Sequence, residues 1–250
     1  MLGKNGSGKS TLLKTMAGLD FPNAGKCLVH GTDASRRLVS VLEDLYFLPE
    51  EISVPALTPR QFVKNTAGFY PAFSASDYYA HLRTLEVEDE LMMSRMSYGQ
   101  QKKAMIAFAL ATNTQLLLLD EPTNGLDIPS KVQFRKLIAS SLDERRCFVL
   151  STHQVRDLDS LIDTVLILDN ERIVVQHTIE ELTNQLIFGL FQDTSELHVL
   201  YEEDTPRGKY IVAANTQNKF SKLDLELFFN AVTDGRKEVI DAISKGGYHE

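Results

Sequence analysis

Eight residues near the start of this chain have the types and the spacing to hold a phosphate. Gly3, Lys4, Asn5, Gly6, Ser7, Gly8, Lys9 and Ser10 fit the pattern G-x-x-x-x-G-K-[ST] at every fixed position. Glycines let backbone N–H groups turn inward around anionic oxygens, and a helix that follows adds the positive end of its dipole. In such a loop Lys9 reaches the terminal phosphates and the Ser10 hydroxyl ligates a magnesium ion. A chance glycine-rich turn is the plainer reading, and the full match with a helical pattern behind it makes that the weaker one.

Three further groups carry chemistry. Leu116-Leu117-Leu118-Leu119 runs into Asp120 and Glu121. A buried strand that ends in a carboxylate can place Asp120 near a metal's water shell, and Glu121 beside it can orient or deprotonate an attacking water. Ser97-Tyr98-Gly99-Gln100 has S-x-x-Q spacing, which caps a helix and exposes backbone amides as a second anion site. Taken alone it is simply a well-capped helix. Ser151-Thr152-His153 follows another strand pattern, and a neutral imidazole there can hydrogen-bond a terminal phosphate and hold the attacking water. A lone histidine after a strand is otherwise more often structural.

These groups need elements to position them. Lys9 to Ala17 reads as a helix with Gly18 as its C-terminal cap, and Lys26–His30 and Leu45–Leu48 read as short strands. Thr58-Pro59-Arg60-Gln61 is a capping box with proline at the first helical position. From about Pro55 to Met96 the pattern is helical and rich in aromatics: Phe62, Phe69, Tyr70, Phe73, Tyr78 and Tyr79. Lys103–Ala111 reads as an apolar helix, Gln115–Asp120 as a strand buried on both faces, Pro129–Leu142 as a helix and Cys147–Ser151 as a strand. A helix over Gln154–Ile162 and a strand over Thr164–Leu168 follow, and Arg172–Gln176 extends the sheet. Alternating strand and helix patterns predict an α/β fold with a parallel sheet covered on its faces. After about Leu186 the pattern changes. Glu196–Tyr201 and Lys209–Ala213 are expected to pair, with helices over Leu223–Val232 and Arg236–Ile243, as a small α+β accessory domain.

The bulk numbers narrow the field. The chain has 250 residues, 43% hydrophobic and 24% charged, which suffices for a large core. A net charge of −8 lowers the expectation of a nucleic-acid partner. Two cysteines, Cys27 and Cys147, suggest no disulfide framework and a reducing compartment. No run approaches the roughly 20 apolar residues that cross a bilayer, and no secretory leader is read, so a soluble chain is expected.

Together these motifs resemble the nucleotide-binding subunit of ATP-binding cassette (ABC) transporters over about residues 1–186. Gly3 to Thr11 looks like the Walker A motif, and Met96 to Gln100 like the family signature. Leu116 to Glu121 looks like Walker B with its glutamate, Thr123 to Asp127 like the D-loop, and Ser151 to His153 like the switch loop. The resemblance implies a P-loop NTPase fold with an inserted helical subdomain at about 55–100 and an accessory domain over 187–250. It implies ATP and Mg²⁺ as cofactors, with Glu121 and His153 catalytic and Ser10, Glu50 and Asp120 at the metal. Ser97 and Gly99 would contact the γ-phosphate in trans, Tyr98 and Gln100 would stand with them among the nucleotide-binding residues, and Asp127 would couple the two sites. Two copies, or this chain and a paired cassette, would dimerise head to tail, closing on ATP and reopening after hydrolysis. The helical segment would dock a separately encoded integral-membrane permease, placing the chain in the cytoplasm on the inner face of the membrane. An exporter-type role is favoured, and no nucleic-acid partner is expected.

The chain departs from that pattern in places. Met96 and Tyr98 replace the usual leucine and glycine of the signature. Glu50 stands where a metal-touching glutamine is expected, which adds negative charge beside the phosphates. Only Met1 and Leu2 precede the loop, whereas the resemblance implies an adenine-stacking aromatic, an antiparallel strand pair and a strand leading into it. Met1-Leu2 is read as the remnant of that strand, and the 250-residue chain is expected to be unstable or weakly ATP-binding. Two alternatives accompany the transporter reading: a soluble, non-transport ATPase of the same family, and a regulatory or inactive cassette.

Overall fold

Gly8 takes φ +101°, a left-handed conformation that glycine adopts without penalty, and turns the chain into helix α1 (Lys9–Met16). No side chain caps α1. Gly18, at φ +65°, closes it where the sequence reading expects, and its N–H donates to Thr15 O. The computed structural model describes residues 1–155, 161–234 and 237–244. They divide into two units, one of Gly8–Thr152 and the other of Met1–Ser7 with the described residues from His153 onward.

In the unit Gly8–Thr152, α1 is followed by a two-residue hairpin, β1 (Leu28–Val29) and β2 (Thr32–Asp33), and by the short helix α2 (Val39–Leu42). Strand β3 (Leu45–Leu48) then enters the sheet. Helices α3 (Pro59–Thr66) and α4 (Ala75–Thr84) make up the inserted segment, and α5 (Tyr98–Ala111) returns to β4 (Leu116–Asp120). Helix α6 (Ile128–Ser141) leads to β5 (Cys147–Ser151). Both capping boxes read from the sequence form: Thr58 with Gln61, and Ser97 with Gln100, each exchanging side-chain and backbone bonds.

The sheet is parallel in the order β3-β4-β5, with Leu48 beside Leu119, and Asp120 beside Ser151. Strand β4 is central, and all five of its residues are buried, which is why its apolar run does not alternate. The aromatics of the inserted segment pack as core. The Phe62, Tyr70, Phe73 and Tyr78 rings lie 4.9–6.1 Å from that of Phe108 on α5. Phe69 stays exposed.

The other unit begins with Leu2, which makes a parallel bridge to Ile167; its N–H donates to Leu166 O at 2.7 Å and its carbonyl accepts from Leu168 N at 2.8 Å. Leu2 is thus a single-residue bridge outside the named strands. Ile167 belongs to β6 (Thr164–Asp169), which pairs with β7 (Arg172–Thr178). Their ladder is antiparallel and forms a two-stranded sheet of its own, so Arg172–Gln176 does not extend the parallel sheet as the sequence reading expects. The turn Asn170-Glu171 takes φ +47° and +62°, the backbone of a two-residue hairpin turn whose twist matches that of the strands. Of the expected helix Gln154–Ile162, residues 156–160 lie outside the described residues, and Arg236 of the last expected helix does so too.

Helix α7 (Ile179–Gln185) and strand β8 (Leu186–Phe191) are not read from the sequence. Strands β9 (Val199–Thr205) and β10 (Gly208–Ala214) pair as expected, and β10 lies between β8 and β9. Helices α8 (Leu225–Thr233) and α9 (Lys237–Ser244) complete the unit. One apolar core runs through all of it: Leu2, Val155, Val165 and Ile167 pack in the same cluster as Phe188, Val212, Phe228 and Val239.

Candidate nucleotide site

The unit Gly8–Thr152 brings the charged groups together. Lys9 is the first residue of α1 and Glu121 the first residue after β4, and Lys9 Nζ lies 3.8 Å from Glu121 Oε1 with both side chains buried. Asp120 is also buried, and the Ser151 hydroxyl of the neighbouring strand donates to it through a very short contact. The Glu121 N–H donates to Ser151 Oγ at 3.1 Å and to Ser151 O at 3.2 Å. Glu121 takes φ +44°, a left-handed backbone that costs a non-glycine residue on the order of 1 kcal/mol and collects at functional sites. Strand pairing thus fixes both carboxylates, and β5 supplies the hydroxyl that orients Asp120.

Glu50 follows β3 and is tied down from three sides. Asn124 Nδ2 donates to its carboxylate at 2.9 Å, and Tyr98 Oη and Lys102 Nζ both donate to its carbonyl at 2.7 Å. Ser97 Oγ accepts from the Gln100 N–H at the start of α5. A Cβ on Gly99 would come within 3.2 Å of Gly125 O, and one on Gly125 within 3.0 Å of the Tyr98 ring. Glycine at both positions lets the start of α5 and the loop after β4 touch. Asp127 caps α6 through Ser130 N at 3.0 Å, and the bonds from Ser130 hold its carboxyl below the usual carboxylate range.

The unit containing Met1–Ser7 holds the first half of the glycine loop. Ser7 N–H donates to Lys4 O at 3.1 Å, and Gly6 takes φ +80°. A Cβ on Gly3 would lie 2.2 Å from Ser7 Oγ and 2.8 Å from Leu168 O, so only glycine fits there. The buried Ser7 hydroxyl has no hydrogen-bond partner. Lys4 Nζ donates to Thr233 O at the end of α8, at 3.4 Å. Asn5 and His153 are exposed.

This donor set fits a magnesium nucleotide. Within the unit Gly8–Thr152, helix α1 starts at Lys9 without a side-chain cap and so offers backbone donors to anionic oxygens, beside the buried Asp120 and Glu121. Among the described residues no three His, Cys, Asp or Glu side chains form a ready-made metal cage. A cation held here takes most of its ligands from phosphate and water, as Mg²⁺ does.

Comparison with known proteins agrees. A family model described as ABC transporter matches residues 1–124. Residues 1–124 match that family, and the chain is similar to its ATP-binding subunits. Nod factor export ATP-binding protein I of Neorhizobium galegae is 29% identical over 70% of this chain and 52% of its own length. Fe(3+) ions import ATP-binding protein FbpC of Pseudomonas fluorescens is 31% identical over 70% of this chain and 52% of its own length. The chain therefore spans about half the length of these relatives. A solved ATP-binding cassette, dimeric and bound to ADP and Pi after hydrolysis, superposes with a TM-score of 0.62 at 24% identity, covering 71% of this chain and 83% of that one. The fold is accordingly the ABC-type P-loop NTPase fold.

Within that family frame, Lys9, Ser10, Glu50, Ser97, Tyr98, Gly99, Gln100, Asp120, Glu121 and Asp127 all lie in the unit Gly8–Thr152. Gly3, Lys4, Asn5, Gly6, Ser7 and His153 lie in the other. The sequence reading missed Lys102 and Asn124, both of which touch Glu50. Tyr98 and Lys102 are four apart on one helix, a spacing that puts two side chains on one face and could have marked Lys102.

Proposed function

We propose that this chain is the ATP-binding and ATP-hydrolysing subunit of an ABC transporter. The buried arrangement of Lys9, Asp120 and Glu121 at the end of β4 carries the reading. Lys9 and the backbone donors of Gly3–Ser10 bind and orient the phosphates. Ser10 and Asp120 hold Mg²⁺, with Glu50 reaching it directly or through water. When bound, the ion draws charge from the transferred phosphoryl group. Glu121 accepts a proton from the attacking water or orients it, and His153 holds that water against the γ-phosphate.

A second cassette supplies the remaining contacts. Ser97, Tyr98, Gly99 and Gln100 stand at the start of α5, where amides meet the nucleotide bound by a partner, and Asp127 links the two sites. ATP closes the head-to-tail pair and hydrolysis reopens it, and an integral-membrane permease turns that motion into transport. No helix among the described residues is long and apolar enough to cross a membrane. The relatives act in both directions, one named for Nod factor export and one for Fe(3+) import. The similarity does not separate the two directions; the accessory residues 187–250 are what favour export.

The test is ATP turnover and dimer formation with the full chain, its permease present. Wild type should hydrolyse Mg-ATP, and Glu121→Gln should bind ATP, accumulate dimers and turn over little. Failure of wild type to bind Mg-ATP would overturn the reading.

A further inference from the structure

Lys102 is a fully buried ammonium that the chemistry above does not use. Its Nζ donates to Glu50 O at 2.7 Å, and no carboxylate lies within ion-pair distance of it among the ion pairs described. A buried cation is costly unless it is paired and hydrogen-bonded. Burial pushes its pKa below the ordinary lysine value, and the field of Glu50, Asp120 and Glu121 offsets only part of that. Lys102 thus faces the same carboxylates that are assigned to the metal and the attacking water.

We infer that Lys102 is a positioning residue for Glu50: it clamps the Glu50 peptide so that the carboxylate is presented to the nucleotide-bound metal, and its charge offsets the extra negative charge that Glu50 brings. The inference rests on the nucleotide reading above. Three observations carry it. The clamp is double, because Tyr98 Oη donates to the same carbonyl at 2.7 Å. Both donors project from α5, so the helix that carries the signature also fixes the loop after β3. The Glu50 side chain is oriented separately by Asn124 Nδ2 at 2.9 Å, which leaves Lys102 to set the backbone.

Epistasis tests this. Mn²⁺ affinity is measured by electron paramagnetic resonance on the ATP-bound full chain, in a Glu121→Gln background that stops turnover. Lys102→Met should weaken Mn²⁺ binding about five- to tenfold, within the range expected for coupled neighbours. Glu50→Ala should weaken it comparably, and adding Lys102→Met to Glu50→Ala should then cost less than twofold further. Equal losses from Lys102→Met with and without Glu50 would overturn the inference, as would no loss at all. If Lys102→Met fails to fold, as a thermal melt would show, Tyr98→Phe removes the second clamp and takes its place in the same cycle. If the Glu121→Gln chain binds no ATP, the nucleotide reading fails. If it binds ATP and Mn²⁺ but the cycle is additive, only the role of Lys102 fails.

Discussion

Lys9 Nζ and Glu121 Oε1 stand 3.8 Å apart, each side chain almost fully buried, and they come from opposite ends of the nucleotide machinery. The lysine opens the helix behind the glycine loop, and the glutamate ends the central strand. A buried pair of this kind is kept for what it does rather than for stability, since its desolvation offsets much of its attraction. Glu121→Gln keeps the shape and removes the charge. Hydrolysis should fall roughly 10²–10⁴-fold, the usual worth of a positioned general base, while ATP binding persists. Steady-state turnover alongside equilibrium nucleotide binding checks this, and parallel loss of both would place Glu121 in binding instead.

The short contact between Ser151 and Asp120 makes a second prediction. The serine hydroxyl meets both Asp120 and the Glu121 N–H, so it orients one carboxylate and supports the strained backbone of the other. Ser151→Ala should leave the buried Asp120 carboxylate short of this donor, at about 1–3 kcal/mol, while the Glu121 N–H keeps the Ser151 carbonyl. We expect a lower melting temperature together with a raised Mg²⁺ requirement for turnover. A melting shift without any change in the Mg²⁺ requirement would limit Ser151 to a structural part.

Much of this arrangement is legible in the sequence, for physical reasons that differ from place to place. Asp120 and Glu121 are readable because a strand buried on both faces has no polar positions, so the first carboxylates mark its end. Ser97 and Gln100 are readable because capping is a local interaction over three residues. Lys102 is not, because its meaning depends on Glu50, 52 residues earlier in the chain. Strand β8 is not, because Leu186–Phe191 is a short apolar run interrupted by Gly189, which suits several structures until β10 pairs with it. The shared core of Leu2 and Val155 with Phe228 is likewise a tertiary fact with no local signal.

That core yields a prediction of its own. Phe228 is fully buried on α8, with its ring 6.0 Å from that of Phe188, and it lies in the same cluster as Leu2 and Val155, which flank Gly3 and His153 in sequence. Phe228→Ala should destabilise the unit by about 3–5 kcal/mol. Because the cavity opens in the core that anchors Leu2, ATP affinity should fall as well. Calorimetric unfolding and nucleotide titration measured side by side decide it. An unchanged ATP affinity in a folded variant would show that the loop is held independently of α8.

The inserted helical segment carries a pH dependence. His81 lies on α4, where burial pushes its pKa below the ordinary value of 6.5; Asp77 opposes that shift and Arg146 adds to it. The folded state therefore binds this proton less readily than the unfolded state. The sign follows: His81 contributes most above pH 6.5, and its contribution is lost as the pH falls below 6.5 and levels off once the folded form is protonated too. Stability measured by denaturant unfolding should drop between pH 7 and pH 5, by more in wild type than in His81→Gln. The substitution removes the titrating group and keeps a polar side chain of similar reach, so the difference between the two slopes isolates this histidine from the carboxylates, whose protonation begins lower. Identical slopes would assign the acid sensitivity elsewhere.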